Sequence, residues 1–148
     1  KYCDGKIPSI AKDESLAALL NQSVKSADDA ICALDFQGGI NTIMDFCKRV
    51  NGYVTEKEPW VVAKDSSRKS ELDGILYNTA ESLRALAVLL HPVMPEVTQK
   101  LWQSLGAQSS LGDIGKQQIS KVANWGQLPA GSVVTKTDVL FPRLEEVK

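Results

Sequence analysis

One stretch of this 148-residue chain gathers the side-chain types that unpaired nucleic-acid bases need. Between residues 48 and 69 stand six cations, Lys48, Arg49, Lys57, Lys64, Arg68 and Lys69, against three acids, Glu56, Glu58 and Asp65. The local excess is therefore three positive charges. In the middle, Pro59 ends a helix because it lacks an amide donor and clashes with the preceding turn, which places Trp60 at a turn. A rigid indole offers a stacking face worth about 1–3 kcal/mol per base, and neighbouring lysines meet phosphates. The same residues allow a second arrangement, in which Trp60 opens a buried apolar run with Val61 and Val62. The chain as a whole carries a net charge of −1, so any attraction to RNA has to be local.

Other chemistry is sparse. The single histidine, His91, lies between Leu90 and Pro92 at the end of the most hydrophobic stretch, where a structural role at a helix C-terminus fits better than catalysis. Any Ser-His-Asp, Cys-His or histidine-rich metal site would have to be built on it. Gly38-Gly39 lacks the following Gly-Lys-Ser/Thr of a phosphate cradle. The carboxylate pairs Asp28-Asp29 and Glu145-Glu146 are adjacent in sequence and suit solvated faces. Cys3, Cys32 and Cys47 are odd in number and show no Cys-x-x-Cys spacing, as expected of thiols in a reducing compartment. No apolar run approaches the roughly 20 residues of a membrane span. The chain opens at Lys1-Tyr2-Cys3 with neither an initiator Met nor a signal-like stretch, and reads as a piece of a longer, cytoplasmic protein.

The elements that must position these residues are helical. Leu16, Leu20, Val24, Ala27, Ile31 and Leu34 recur at steps of three and four over residues 14–34. A second face runs through Ile40, Ile43, Cys47, Val50 and Val54, its start loosened by Gly38-Gly39 and its end set by Pro59. The polar residues 64–70 lead into the strongest signal, Leu72, Ile75, Leu76, Thr79, Leu83, Leu86, Ala87 and Leu90. Met94-Pro95 starts a fourth helix that carries Val97, Leu101 and Leu105 until Gly106 closes it. Residues 107–132 are expected to be mostly loop, with a short helix near residues 117–122. Val133-Val134 and Val139-Leu140-Phe141 are candidates for short extended pieces. The fold class is all-α, an antiparallel helical bundle with a core at about residues 13–106 and a loop-rich, irregular tail at 107–148.

The run Asn51-Gly52-Tyr53-Val54-Thr55-Glu56-Lys57-Glu58-Pro59-Trp60-Val61-Val62-Ala63-Lys64 resembles the anticodon-recognising segment of bacterial-type methionyl-tRNA synthetases. His91-Pro92-Val93-Met94-Pro95, followed by Leu101-Trp102 and Leu105-Gly106, looks like the next helix pair of the same domain. Leu140-Phe141-Pro142-Arg143-Leu144-Glu145 is similar to the tail that closes the conserved core of these enzymes. Tyr2-Cys3-Asp4-Gly5-Lys6-Ile7-Pro8 looks like the loop after the domain's first helix. The Met-Pro and Leu-Trp motifs occur in several class I synthetases, so the Pro59-Trp60 context is what points to methionine.

The resemblance implies that residues 1–148 are an anticodon-binding domain truncated at its N-terminus, without the catalytic half. Trp60 would stack on a base of the CAU anticodon, Pro59 fixing its approach, with Lys57, Lys64 and Arg49 beside it. The partners implied are the tRNA(Met) anticodon loop and the catalytic domain, with no membrane and no DNA. This piece implies no cofactor of its own; the parent ligase would use ATP with Mg, and often Zn. The HIGH-type and KMSKS-type signatures and zinc-binding cysteines of the catalytic half are absent from the sequence. An Asn and an Arg spaced four apart, the family's other anticodon readers, would lie just before residue 1. Two other readings stay open: the equivalent domain of a leucyl-like class I synthetase, and a non-catalytic helical protein-interaction module.

Overall fold

A computed structural model describes residues 2–9 and 13–142. The end of the tail motif, Arg143-Leu144-Glu145, and the pair Glu145-Glu146 lie outside the described residues. Three long helices make the frame: α1 (Glu14–Cys32), α2 (Phe36–Lys57) and α4 (Lys69–Leu90). Between α2 and α4 sit a one-turn helix, α3 (Pro59–Val62), and a 3-10 turn, Ser66–Arg68. Then come α5 (Pro95–Ser104), α6 (Ala107–Leu111), a 3-10 turn at Ile114–Lys116 and α7 (Ile119–Val122).

Caps set the long helices where the periodicity puts them. Asp13 opens α1 by accepting from the N–H groups of Ser15 and Leu16, and Asp35 opens α2 by accepting from Gly38 N–H at 2.8 Å. The two form a hairpin across the short link 33–35, and α4 packs against both. Leu20, Val24, Ile43, Phe46 and Val50 belong to one buried apolar cluster with the α4 residues Leu86 and Leu89. The single histidine is structural: His91 Nδ1 lies 2.8 Å from Thr98 Oγ1, which ties the end of α4 to α5. Trp102 is buried, and its indole N–H donates to the Gly112 carbonyl at 2.8 Å.

Several local expectations are corrected. The first helix stops at Cys32, and Leu34, expected on its apolar face, is 76% exposed. The chain reverses there through a left-handed residue, so the periodicity has no helix left to act on. Gly39 does not loosen α2. A Cβ at this position would lie 2.8 Å from Ile31 Cγ1, so the glycine lets α1 and α2 approach closely. Residues 107–132 hold the expected short helix as α7, and beyond it α6 and a 3-10 turn that were not expected. Among the described residues the extended pieces amount to one isolated antiparallel bridge, between Lys6 and Val133. Gly106 has φ +71°, and a Cβ on it would stand 2.6 Å from the Val133 carbonyl, so the tail crosses directly over the end of α5.

Candidate nucleic-acid interface

The Trp60 site is built by a change of chain direction at Glu58. This residue adopts a left-handed conformation, φ 42° and ψ 59°, as the cap that ends α2 and the residue that begins α3. Its N–H donates to the Val54 carbonyl at 3.1 Å, and its own carbonyl accepts from Val61 and Val62 N–H at 2.8 and 3.1 Å. Pro59 takes the first position of α3, where the missing donor costs nothing and the fixed φ suits a helix. The expected turn is therefore a turn followed by one turn of helix.

That single turn divides its side chains. Val62 is 2% exposed and belongs to a small core with Leu72 and Ile75, with Tyr53, Ala63 and Leu76 packed around it. Trp60 is 48% exposed and Val61 40% exposed. Of the expected buried run only Val62 is inside. It pins the turn to α4 while the indole stays open to solvent. The indole is thus half exposed on an anchored turn.

The cations sort into two sets. Lys48 pairs with Asp45 at 2.8 Å, Arg68 forms two contacts of 2.7 Å with Glu71, and Lys69 pairs with Asp73. Each of these partners lies outside the acids counted within the stretch. The hydrogen bond that each donates to its carboxylate holds the charge of Lys48, Arg68 and Lys69 more firmly than usual. Arg49, Lys57 and Lys64 are exposed and make no ion pair among the described residues. Lys57 Nζ stands 5.9 Å above the Tyr53 ring, so its stem lies along α2. Arg49 lines a groove of about 610 Å³ between α1 and α2, together with Ser15, Gln22, Tyr53 and Glu56. Burial, then the Asp13 carboxylate, pushes the Tyr53 phenol above its ordinary value, so that ring stays neutral.

Trp60 and Pro59 are thus adjacent on α3, Lys57 and Lys64 flank them in the chain, and Arg49 lies on α2 about two turns before Lys57, in the α1–α2 groove. Among the described residues no group of three or more His, Cys, Asp or Glu side chains could hold a metal. No helix among them is long and apolar enough to cross a membrane.

Residues 13–138 match the family described as the anticodon-binding domain of tRNA ligase. The chain belongs to that family. Its relatives include the methionine–tRNA ligase of Streptomyces coelicolor, 53% identical over 99% of this chain and 28% of that protein. The methionine–tRNA ligase of Halalkalibacterium halodurans is 39% identical over 98% of this chain and 22% of its own length. The chain therefore spans roughly a quarter of the curated relatives it matches. In fold it resembles the free-state methionyl-tRNA synthetase of Mycobacterium tuberculosis, with a TM-score of 0.85 and 23% identity over 99% of this chain and 29% of that one.

The sequence reading missed the pair Glu81 and Arg84, both fully buried in α4. A signal for it exists: they are the only acid and the only Lys or Arg in the 22 residues between Asp73 and Glu96. Val62, Leu72 and Ile75 were expected to be apolar interior residues, but not to anchor the Trp60 turn together.

Proposed function

We propose that this chain is the anticodon-reading part of a methionine–tRNA ligase, and that Trp60 stacks on an unpaired base of the CAU anticodon loop of tRNA(Met). The observation that carries the reading is the exposed indole held on a one-turn helix by a buried Val62. Pro59 sets the approach of the ring, and Lys57, Lys64 and Arg49 supply charge for phosphates. The extent of the matches to methionine–tRNA ligases favours methionine over a leucyl-like or a purely structural reading.

In this reading the longer protein activates methionine with ATP and Mg, often with Zn, in its catalytic part. It works in the cytoplasm, where translation consumes charged tRNA. This domain contributes no bond-making step. It secures the anticodon end so that the acceptor end reaches the chemistry with the correct tRNA. Stacking supplies about 1–3 kcal/mol per base, enough to discriminate when added to base-edge contacts made elsewhere in the ligase.

The test uses the complete ligase and fluorescent anticodon stem-loops. CAU loops are expected to bind in a salt-dependent manner, and Trp60→Ala to weaken binding by about 1–3 kcal/mol, roughly fivefold to 150-fold. Each of Lys57→Ala, Lys64→Ala and Arg49→Ala is expected to reduce the slope of log K against log salt by about one. Equal affinity for an unrelated loop, or indifference to Trp60→Ala, would sink the assignment.

A further inference from the structure

The tip of the α1–α2 hairpin exposes two large apolar side chains, Leu34 at 76% and Phe36 at 59%. Leu34 is presented by a fully formed helix-ending motif: its N–H donates to the Ile31 carbonyl and that of Asp35 to the Ala30 carbonyl, each at 2.9 Å. The residue at this position is left-handed, φ 64°, a place that favours glycine. A leucine here is strained and buries almost nothing in return within this chain. Phe36 follows as the first residue of α2. A strained leucine and a phenylalanine directed at solvent make a small apolar knob with no internal function.

Two observations say what covers it. Around the tip stand three acids, Asp28, Asp29 and Asp35, with no Lys, Arg or His between residues 26 and 47; the next acid along α2, Asp45, is neutralised by Lys48. Such a corner repels phosphates, so it is unsuited to RNA. It also stands at the opposite end of α2 from Trp60, about 33 Å away by the rise of a 22-residue helix. If the Trp60 end faces the anticodon, this end faces the remainder of the ligase, which in the relatives makes up some three quarters of the length.

We infer that Leu34 and Phe36 dock into an apolar pocket with a basic rim on the rest of the longer polypeptide, setting the angle between this domain and the catalytic part. The inference rests on the reading under Proposed function. Its role is positioning: the knob touches neither tRNA nor the reacting atoms, and acts by fixing the distance between anticodon grip and acceptor end.

The experiment uses the complete ligase carrying Phe36→Ser or Leu34→Gly, with two measurements side by side. Binding of a CAU stem-loop is expected to stay within twofold of the parent, because the Trp60 surface is intact. Charging of whole tRNA(Met) is expected to fall about tenfold in kcat/KM, while ATP–pyrophosphate exchange, which needs no tRNA, is unchanged. Limited proteolysis between the two parts is expected to speed up. Leu34→Gly serves as the variant that cannot fail through misfolding, since glycine relieves the strain. Unchanged charging and proteolysis would overturn the docking, and a loss of stem-loop binding with them would mean the corner is an RNA surface. Failure of Trp60→Ala to weaken loop binding concerns the anticodon reading alone, so the two claims fail separately.

Discussion

Glu81 Oε1 lies 2.8 Å from Arg84 Nε in the middle of α4, with neither side chain more than 1% exposed. The pair clamps a loop. Glu81 also accepts from the N–H groups of Gly126, Gln127 and Leu128 at 2.9, 3.1 and 2.9 Å. Arg84 Nη2 donates to the carbonyls of Val122 at 3.0 Å and Asn124 at 3.3 Å. Burial works against the arginine charge, and the adjacent carboxylate works for it. Two charges with this many partners hold residues 122–128 on the helix, although water is excluded.

Removing one partner should cost more than the pair itself contributes, because the survivor is left buried and uncompensated. Glu81→Ala is expected to lose about 3–5 kcal/mol in urea unfolding. It takes the counter-charge from the buried cation, which keeps only its two carbonyls, and orphans three backbone N–H groups together. Arg84→Met is expected to cost less, since the carboxylate keeps three donors and methionine fills much of the volume. The reverse order of the two midpoints would contradict the clamp.

Leu34→Gly is expected to stabilise this chain. A left-handed L-residue costs about 1–2 kcal/mol, and glycine's extra freedom in the unfolded chain gives back about 0.5–1. With the leucine largely exposed, little packing is lost. The net expectation is a gain of about 0.5–1 kcal/mol, read as a higher urea midpoint with an unchanged slope. A lower midpoint would mean that the Leu34 side chain already has a partner within this domain.

Asp13 links acid sensitivity to the start of α1. Burial alone would raise its carboxyl, but hydrogen bonds from the Ser15 hydroxyl and from the Leu16 and Ser15 backbone outweigh it, and the net shift is downward. A carboxyl lowered in the folded state contributes stability that is complete above its unfolded value of about 3.9 and is lost as pH falls through the folded value. Asp73, held down by Lys69, adds in the same direction. Thermal unfolding followed downward from pH 5 should therefore steepen below about pH 4. Asparagine caps about as well as aspartate, so Asp13→Asn is expected to keep stability near pH 7 and flatten the acid limb. An unaltered limb would remove Asp13 from the account.

The long helices were legible because their apolar residues recur with the helix period and polar caps stand at their starts. Pro59-Trp60 was legible as a break with an aromatic beside it. What periodicity could not supply was the fate of each side chain within one turn: Trp60, Val61 and Val62 are all apolar, and only the position of α4 decides that Val62 goes in. Leu34 misled for the opposite reason, since its spacing fits the face of α1 but the helix ends two residues earlier. Glu81 and Arg84 escaped because an acid and a base three apart on a helix usually indicate a solvated surface pair. The six cations gave a charge excess, but which three make no ion pair among the described residues depends on Asp45, Glu71 and Asp73, acids outside the stretch.

Val62 and Trp60 should separate stability from recognition. Val62→Ala removes buried methyl groups from the Val62–Leu72–Ile75 cluster and is expected to cost about 1–2 kcal/mol of stability. Trp60→Ala removes a half-exposed ring and is expected to change the urea midpoint by less than about 0.5 kcal/mol, as surface substitutions do. In loop binding the order inverts at temperatures where both variants are folded: Trp60→Ala loses the stacking energy, while Val62→Ala loses only what the loosened turn fails to hold. Collisional quenching of tryptophan fluorescence is a further check, because Trp102 is buried, Trp125 partly buried, and Trp60 the most accessible of the three indoles. Trp60→Ala should remove most of the acrylamide-accessible emission. If that emission persists in the variant, the indole is packed in solution, and the platform would have to open before a base could stack on it.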